Sequence, residues 1–371
     1  MLKFEIIHQS KKSRARVGRI HTPHGIIDTP NFVPVATNAT IKTVDSTIIN
    51  QLDVQLMFCN TYHLLLHPGT EVVQSAGGLH NFMKRSAPII TDSGGFQVFS
   101  LAYGSVKEEL KSKGTKKNEG SIIKIDEEGV LFRSYRDGSP VLLTPESSIQ
   151  AQKAFGADII VPLDELPPYH MDARALRHSF ERTHRWEERS LGEHLKNKNE
   201  QAIYAIIHGG VDPALRQKSC EILRNMPFDG FAIGGSLGKT REEMVGMLDG
   251  MMQYLPPEQP NHLLGIGDIP SLEQCVPLGI DTFDSSYPTK AARHGVLFHD
   301  KGPINIQQNK WHSVLEHVSD APLCKEYSAA YLHHLFQAHE TVAQTLASIH
   351  NIHYMMQLMK RYRTLILQDL I

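Results

Sequence analysis

Between residues 30 and 300 the chain repeats one pattern: a short apolar run, then a stretch with apolar positions at helical spacing. The runs cover 32–36, 54–59, 88–91, 158–163, 202–207, 230–233, 262–266 and 279–283. Their length and near-continuous apolar character predict strands buried on both faces, as in a parallel sheet. Stretches such as 71–77, 145–156, 213–225, 241–255 and 271–278 predict the helices between them. Eight strands with helical crossovers match an α/β fold of the (β/α)8 barrel type. A doubly wound open sheet is the competing arrangement. Against it, no G-x-G-x-x-G follows the first strand and no early acidic partner is present.

Three segments break the rhythm. Before residue 30, short alternating runs at 4–8, 15–20 and 25–27 predict an N-terminal antiparallel cap across the barrel floor. After the third strand, 102–136 carries a lysine-rich segment at 107–117, then a hairpin pattern at 122–126 and 129–135. The basic segment fits either a solvated surface loop or a flap beside RNA. From residue 301 onward, 327–339 and 341–365 predict two long helices, the second with a basic end at Lys360, Arg361 and Arg363. That end suits the helix dipole and an RNA contact equally well. The chain thus divides into a catalytic barrel with its cap, 1–300, and a C-terminal helical subdomain, 301–371, that completes the barrel.

Composition narrows the function classes. A net charge of −2 argues against a generally sticky nucleic-acid binder but leaves room for a local basic face. The N-terminus has no signal-peptide pattern, and no run approaches the roughly 18 apolar residues of a membrane span. Cys59, Cys220, Cys275 and Cys324 are far apart and form no C-x-x-C. Core thiols in a reducing cytoplasm are the plain reading.

The chemistry gathers where the strands end. Asn60 follows the second strand, Asp92 the third, Asp164-Glu165 the fourth, His208-Gly209-Gly210 the fifth and Gly234-Gly235 the sixth. Gly265-Ile266-Gly267-Asp268 belongs to the seventh strand and Asp284 to the eighth. In a parallel barrel these ends converge on one mouth. A single Asp there reads as a helix N-cap; three together read as a site. Two carboxylates are the usual equipment for breaking a glycosidic bond through a covalent intermediate. Ser93-Gly94-Gly95 and Gly234-Gly235 allow backbone N–H groups to approach a flat ligand, and no phosphate-loop lysine follows them.

Thr91-Asp92-Ser93-Gly94-Gly95-Phe96-Gln97 and the block from Phe283-Asp284 through Pro288-Thr289 to Ala292-Arg293 resemble the tRNA-guanine transglycosylase family. Further matching blocks lie at 60–63, 163–165, 230–235, 264–267, 327–335 and 350–351, so the resemblance spans almost the whole chain. It implies a pentosyltransferase of queuosine synthesis, replacing guanine at wobble position 34 of tRNAs with GUN anticodons by a 7-deazaguanine base. Asp284 would be the nucleophile at ribose C1′ and Asp92 the general acid/base. Ser93, Gly94, Gly95, Phe96, Asp164, His208 and Gly235 would hold the base. Gly265, Ile266, Gly267, Asp268, Ile269, Pro270 and Ser271, with Thr289, Lys290, Ala291, Ala292 and Arg293, would meet the RNA. The resemblance also implies a cytoplasmic homodimer. A non-catalytic tRNA-binding subunit and a barrel hydrolase or lyase on small molecules are the alternatives. Retention of both Asp92 and Asp284 opposes the first, and tRNA binding decides the second.

Two departures from the family pattern matter. Its members usually carry Cys-x-Cys-x-x-Cys plus a distant His as a tetrahedral zinc set. Here Cys324 and His350 remain, while Ser319 and Ala321 occupy the other two cysteine positions; no structural zinc is expected. In the base pocket His208 stands where the family usually has Gln, Leu166 where it has Cys, and Ser236 where it has Leu, with one residue fewer before Arg241. The shortened loop would leave room beyond the base's seven-position. That favours queuine, with its cyclopentenediol, over the aminomethyl precursor.

Overall fold

The computed structural model describes residues 2–103, 122–167, 169 and 171–371. Each predicted run becomes a strand of a closed parallel barrel: Asn31–Ala36, Met57–Cys59, Ile89–Thr91, Ile159–Ile160, Ala202–Ile207, Gly230–Ile233, Asn261–Leu263 and Thr282–Ser285. The last pairs in parallel with the first, Asp284 opposite Val33, which closes the ring. Several boundaries need correction. The second, fourth and seventh strands are shorter than 54–59, 158–163 and 262–266, and the seventh ends at Leu263, so 265–268 follow it instead of belonging to it. The eighth strand begins and ends later than 279–283 and contains Asp284, as read. Gly279 turns at φ +88° after a short 3-10 helix, and this consumes the residues read as the strand's start.

Alternation sets the two sides of the barrel wall. Val33, Phe58, Ile90, Ile159, Tyr204, Ile206 and Ala232 fill the interior. Their sequence neighbours, such as Phe32, Cys59, Ile160 and Ile207, face the helices in an outer core that also holds Phe283. The floor is plugged from the N-terminal side. Lys3–Gln9, Arg16–Thr22 and Gly25–Thr29 form the expected antiparallel cap, and Ile20 and Ile27 point into the interior core.

Polar contacts lock this floor. Arg16 reaches both carboxylate oxygens of buried Asp281, at 2.9 Å and 2.6 Å. Asp158 accepts the backbone N–H of His24 and of Ile89 and the His24 ring, with the His80 ring 3.2 Å away. Breaking a buried ion pair such as Arg16–Asp281 typically costs about 3–5 kcal/mol.

Several elements exceed the sequence reading, two of them instructively. Ile122–Ile125 and Val130–Arg133 form the expected hairpin, and Pro140–Leu143 adds a third strand. Proline at its first position, with one fully buried residue in four, concealed it. The 24-residue helix Ala173–Lys196 was also not anticipated, because its buried face mixes Thr183, His184, Glu187, Ser190 and His194 with Phe180, Trp186 and Leu191. The basic segment at 107–117 lies outside the described residues.

The two C-terminal helices run over Ala329–Gln337 and Thr341–Leu367. The longer one lies against the barrel. Its Asn351 donates to the carbonyls of Pro288 and Val296 and accepts from Phe298 N–H, while Arg363 donates to Pro30 O. Its buried side chains, Ile349, Ile352, Met355 and Met359 among them, join the same outer core as the barrel helices. Among the described residues no helix is long and apolar enough to cross a membrane.

Candidate active site

The C-terminal ends of the strands surround a cavity of about 450 Å³ or less in each of two adjoining lobes. The inner lobe, about 410 Å³, is lined by Asp92, Ser93, Phe96, Asp164, Gly235 and Asp284 among others. The outer lobe, about 450 Å³, is bounded by Tyr169 and the 235–241 loop. The two share Phe96, Leu166, Gly235, Leu264 and Gly265. Asp92, Asp164 and Asp284, separated by up to 192 positions in sequence, thus converge on one chamber, and all three are buried.

Asp92 follows the third strand directly. One oxygen accepts from Thr61 N–H (2.7 Å) and Gly94 N–H (3.2 Å). The other accepts from the Asn60 and Gln97 side-chain amides at 2.6 Å and 2.7 Å. The N-cap reading is half right: Asp92 bonds the first N–H of the short helix Thr61–Leu66, but from a neighbouring strand. Burial raises its pKa to about 6, and the four hydrogen bonds pull the other way. A carboxyl near 6 suits proton exchange near neutrality. Glycine is required beside it. A Cβ at Gly95 would stand 2.8 Å from Asp164 O, and Gly94 turns at φ +87°.

Asp164 accepts from Ser93 Oγ at 3.3 Å, and His208 Nε2 lies 3.2 Å from its other oxygen. It is not an N-cap; the next helix starts at Ala173 and is capped by Asp172. Glu165 faces away and pairs with Arg182 at 2.9 Å. His208 does not line the cavity. It stands behind Asp164, its backbone N–H held by Ser219 Oγ at 3.1 Å.

Asp284 sits on the eighth strand with Oδ1 accepting from His262 Nε2 (3.0 Å) and Gly265 N–H (2.8 Å). His262 was missed as a site residue in the sequence, where it is the polar first residue of the run 262–266. The signal was available: His262, Thr282 and Asp284 are polar residues at strand positions facing the barrel interior. Arg216 was also missed. Fully buried, it donates to Ile207 O (2.7 Å), Gly210 O (2.8 Å) and Ser236 O (3.0 Å), tying the Gly235 turn to the fifth strand. Burial lowers its pKa to about 10.

The expected RNA-contact residues divide. Gly265 and Ile266 open onto the cavity. Asp268 caps the helix Ile269–Cys275 by accepting Ser271 N–H and pairs with Arg241 at 3.0 Å. Of the helix Tyr287–Arg293, Thr289, Ala291 and Ala292 are buried; Lys290 is exposed. Arg293 is half-buried, and its Nη1 has no hydrogen-bond partner among the described residues. Of the stretch 289–293 only Lys290 and half-buried Arg293 reach the surface, and Tyr287 at the start of the helix is exposed beside them.

The residues at the family's zinc positions form a closed hydrogen-bonded cluster. His350 Nε2 faces Phe298 O and Nδ1 faces Ser319 Oγ, each at 2.8 Å. A carbonyl only accepts, so Nε2 carries the proton and Nδ1 accepts the serine hydroxyl. Cys324 donates to Leu346 O at 3.3 Å, and burial pushes its thiol up to about 12. Ala321 supplies a methyl. One thiol, one imidazole with both nitrogens engaged and a hydroxyl do not fit a tetrahedral zinc site.

A profile of the family described as Queuine tRNA-ribosyltransferase matches residues 10–371. The chain is 63% identical to the queuine tRNA-ribosyltransferase of Protochlamydia amoebophila (strain UWE25), over all of this chain and 96% of that one. It is 56% identical to the protein of that name from Chlamydia caviae, over 99% of both chains. The Chlamydia trachomatis serovar D protein of the same name is 54% identical, again over 99% of both.

Proposed function

The chain belongs to the queuine tRNA-ribosyltransferase family, and from that premise we propose that it exchanges the wobble guanine, position 34, of tRNAs with GUN anticodons for a 7-deazaguanine base through a covalent enzyme–ribose ester. The observation that carries the reading is the convergence of buried Asp92, Asp164 and Asp284 on one chamber at the strand C-termini.

Asp284 attacks C1′ as the bond to guanine N9 breaks, and the bonding pair leaves with the base. Asp92, a carboxyl near 6, delivers a proton to the departing guanine and recovers one from the incoming base, so no net proton is consumed. Asp164 accepts the N–H groups of the base, positioned by Ser93 and His208. The Gly235 backbone meets the base carbonyl, and Lys290 and Arg293 contact the flanking RNA. Extrusion of the nucleotide into such a pocket is how enzymes reach a base for chemistry.

Queuine is the favoured incoming base. The outer lobe adjoins the base pocket across Gly235 and Leu166, and it offers space for the cyclopentenediol. The active form is a homodimer. Leu315 (79% exposed), Leu323 (47%), Tyr327 (41%) and Tyr331 (44%) leave apolar surface on the C-terminal subdomain, where the two tyrosine rings stack at 5.3 Å. Four buried, unpaired thiols and a tRNA substrate fit the cytoplasm.

The central test is Asp284→Asn. It should abolish both exchange of radiolabelled guanine and the denaturation-resistant tRNA adduct while the protein still binds tRNA. An Asp284→Asn protein that forms the adduct excludes Asp284 as nucleophile. Loss of tRNA binding by the wild-type protein itself would return the small-molecule hydrolase reading.

A further inference from the structure

We infer that His262 is a positioning residue for the proposed nucleophile, selecting which oxygen of Asp284 attacks. The inference rests on Asp284 forming the ester. His262 is fully buried in the seventh strand, directly opposite Thr282 of the eighth. Its ring lies nearly parallel to Phe58, with centroids 5.9 Å apart. Nδ1 is 2.8 Å from Thr282 Oγ1, and Nε2 is 3.0 Å from Asp284 Oδ1. Thr282 and Asp284 are two apart on one strand, so both side chains point inward. One imidazole therefore bridges them.

The proton positions follow from the partners. A carboxylate only accepts, so Nε2 carries its hydrogen toward Asp284. In the neutral ring Nδ1 then accepts the Thr282 hydroxyl. If that hydroxyl turns instead to Asn261 O, 3.2 Å away, Nδ1 loses that donor while Nε2 still carries its hydrogen toward Asp284. Either arrangement places an N–H on Oδ1.

Gly265 N–H donates to the same oxygen at 2.8 Å. Oδ1 thus receives two donors, while Asp284 lines the cavity. Oδ2 keeps its lone pairs for C1′. When the Oδ2–C1′ bond forms and the C1′–N9 bond breaks, Oδ1 becomes the ester carbonyl oxygen with both donors in place. When the incoming base attacks C1′, the Oδ2–C1′ pair returns to the carboxylate, and the two N–H groups stabilise the charge it regains. His262 thereby acts on the breakdown of the ester as well as on its formation.

The test compares His262→Phe, His262→Gln and Thr282→Val with Asp284→Asn. All are measured for tRNA binding, kcat, KM and the fraction of enzyme trapped as adduct at steady state. His262→Phe should lower kcat by roughly 10- to 100-fold, the range of a charge-assisted hydrogen bond, with KM for tRNA and base nearly unchanged and a larger trapped fraction. His262→Gln places an amide N–H near the same oxygen and should recover at least part of kcat. Thr282→Val, nearly isosteric, should lower kcat by a few-fold, which keeps the test valid if the Phe variant does not fold. Unchanged kcat in His262→Phe or in Thr282→Val overturns the inference. So does a His262→Gln protein that binds tRNA but is no more active than His262→Phe. If Asp284→Asn still exchanges bases, the nucleophile assignment itself has failed. If Asp284→Asn is dead and the His262 variants are unaffected, only the positioning role has failed.

Discussion

Asp92 shows how one side chain is set by opposed influences. Burial raises its pKa from 3.8 to about 6, against four N–H donors that favour the ion. A raised folded-state pKa means the folded protein holds the proton more tightly than the unfolded chain. The stability this group contributes is greatest below about pH 4 and is lost as pH rises through about 6. The full difference is at most about 3 kcal/mol, from roughly two pKa units. Asp92→Asn removes the ionisation. The melting temperature of Asp92→Asn relative to wild type should therefore be more favourable at pH 7.5 than at pH 4.5. A difference that does not vary with pH would mean that the hydrogen bonds already balance burial. The same variant should lose at least about 100-fold in kcat if the carboxyl is the general acid/base, and a smaller loss would assign proton transfer elsewhere.

At the scale of elements, two short segments carry the departures from the family. The first is the Ser319–Cys324 turn against the long C-terminal helix. Ser319→Ala leaves His350 Nδ1 buried without its donor and should cost about 1–3 kcal/mol in unfolding free energy, measured by denaturant titration. Elemental analysis of the purified protein should find zinc well below one per chain. Ser319→Cys combined with Ala321→Cys restores the three-thiol spacing beside His350 and should bind one zinc. One tight zinc in the wild type, lost on Cys324→Ala, would overturn this. The second segment is the loop from Ser236 to Lys239, held at its start by Arg216. With the outer lobe open beside it, kcat/KM should favour queuine over the aminomethyl precursor on the same tRNA. Apolar contacts of one or two methylenes decide only about 1–3 kcal/mol, so a partial preference is expected. A clear preference for the precursor would reject the enlarged pocket.

For the whole molecule, the apolar surface around Tyr327 and Tyr331 faces outward from a chain whose other large side chains are mostly packed. Stable homodimer interfaces bury about 2,000 Å² or more in total, and the proposed dimer would draw on this surface. Light scattering at micromolar concentration should give twice the mass of one chain. Tyr331→Asp, placing a charge in the apolar contact, should shift the protein toward monomer. A fully active wild-type monomer would dismiss the dimer as a working form.

Much of the architecture follows from sequence because its causes are local. Eight apolar runs, each too short for a helix and flanked by helical spacing, are enough to specify parallel strands. Strand ends in such a barrel meet at one mouth, so Asp92, Asp164 and Asp284 could be placed together before any coordinates. Boundaries were less secure, as the late eighth strand shows, because pairing with the first strand, from Asn31 to Pro34, rather than hydrophobicity sets its span. The helix Ala173–Lys196 was hidden for a related reason: its buried face mixes Phe180, Trp186 and Leu191 with Thr183, His184, Glu187, Ser190 and His194, and only contacts such as His184 with Ser219 and Glu187 with Ile206 N–H show why polar residues lie there. Tertiary structure alone decided which carboxylates are structural. Asp281 and Asp284 belong to the same motif and the same stretch of chain. One is closed by Arg16 at the barrel floor, the other faces the cavity at the mouth. It also decided that His208 supports Asp164 from behind and that His262 meets Asp284. Those pairings depend on neighbouring strands in register, and no single strand's sequence records what stands beside it.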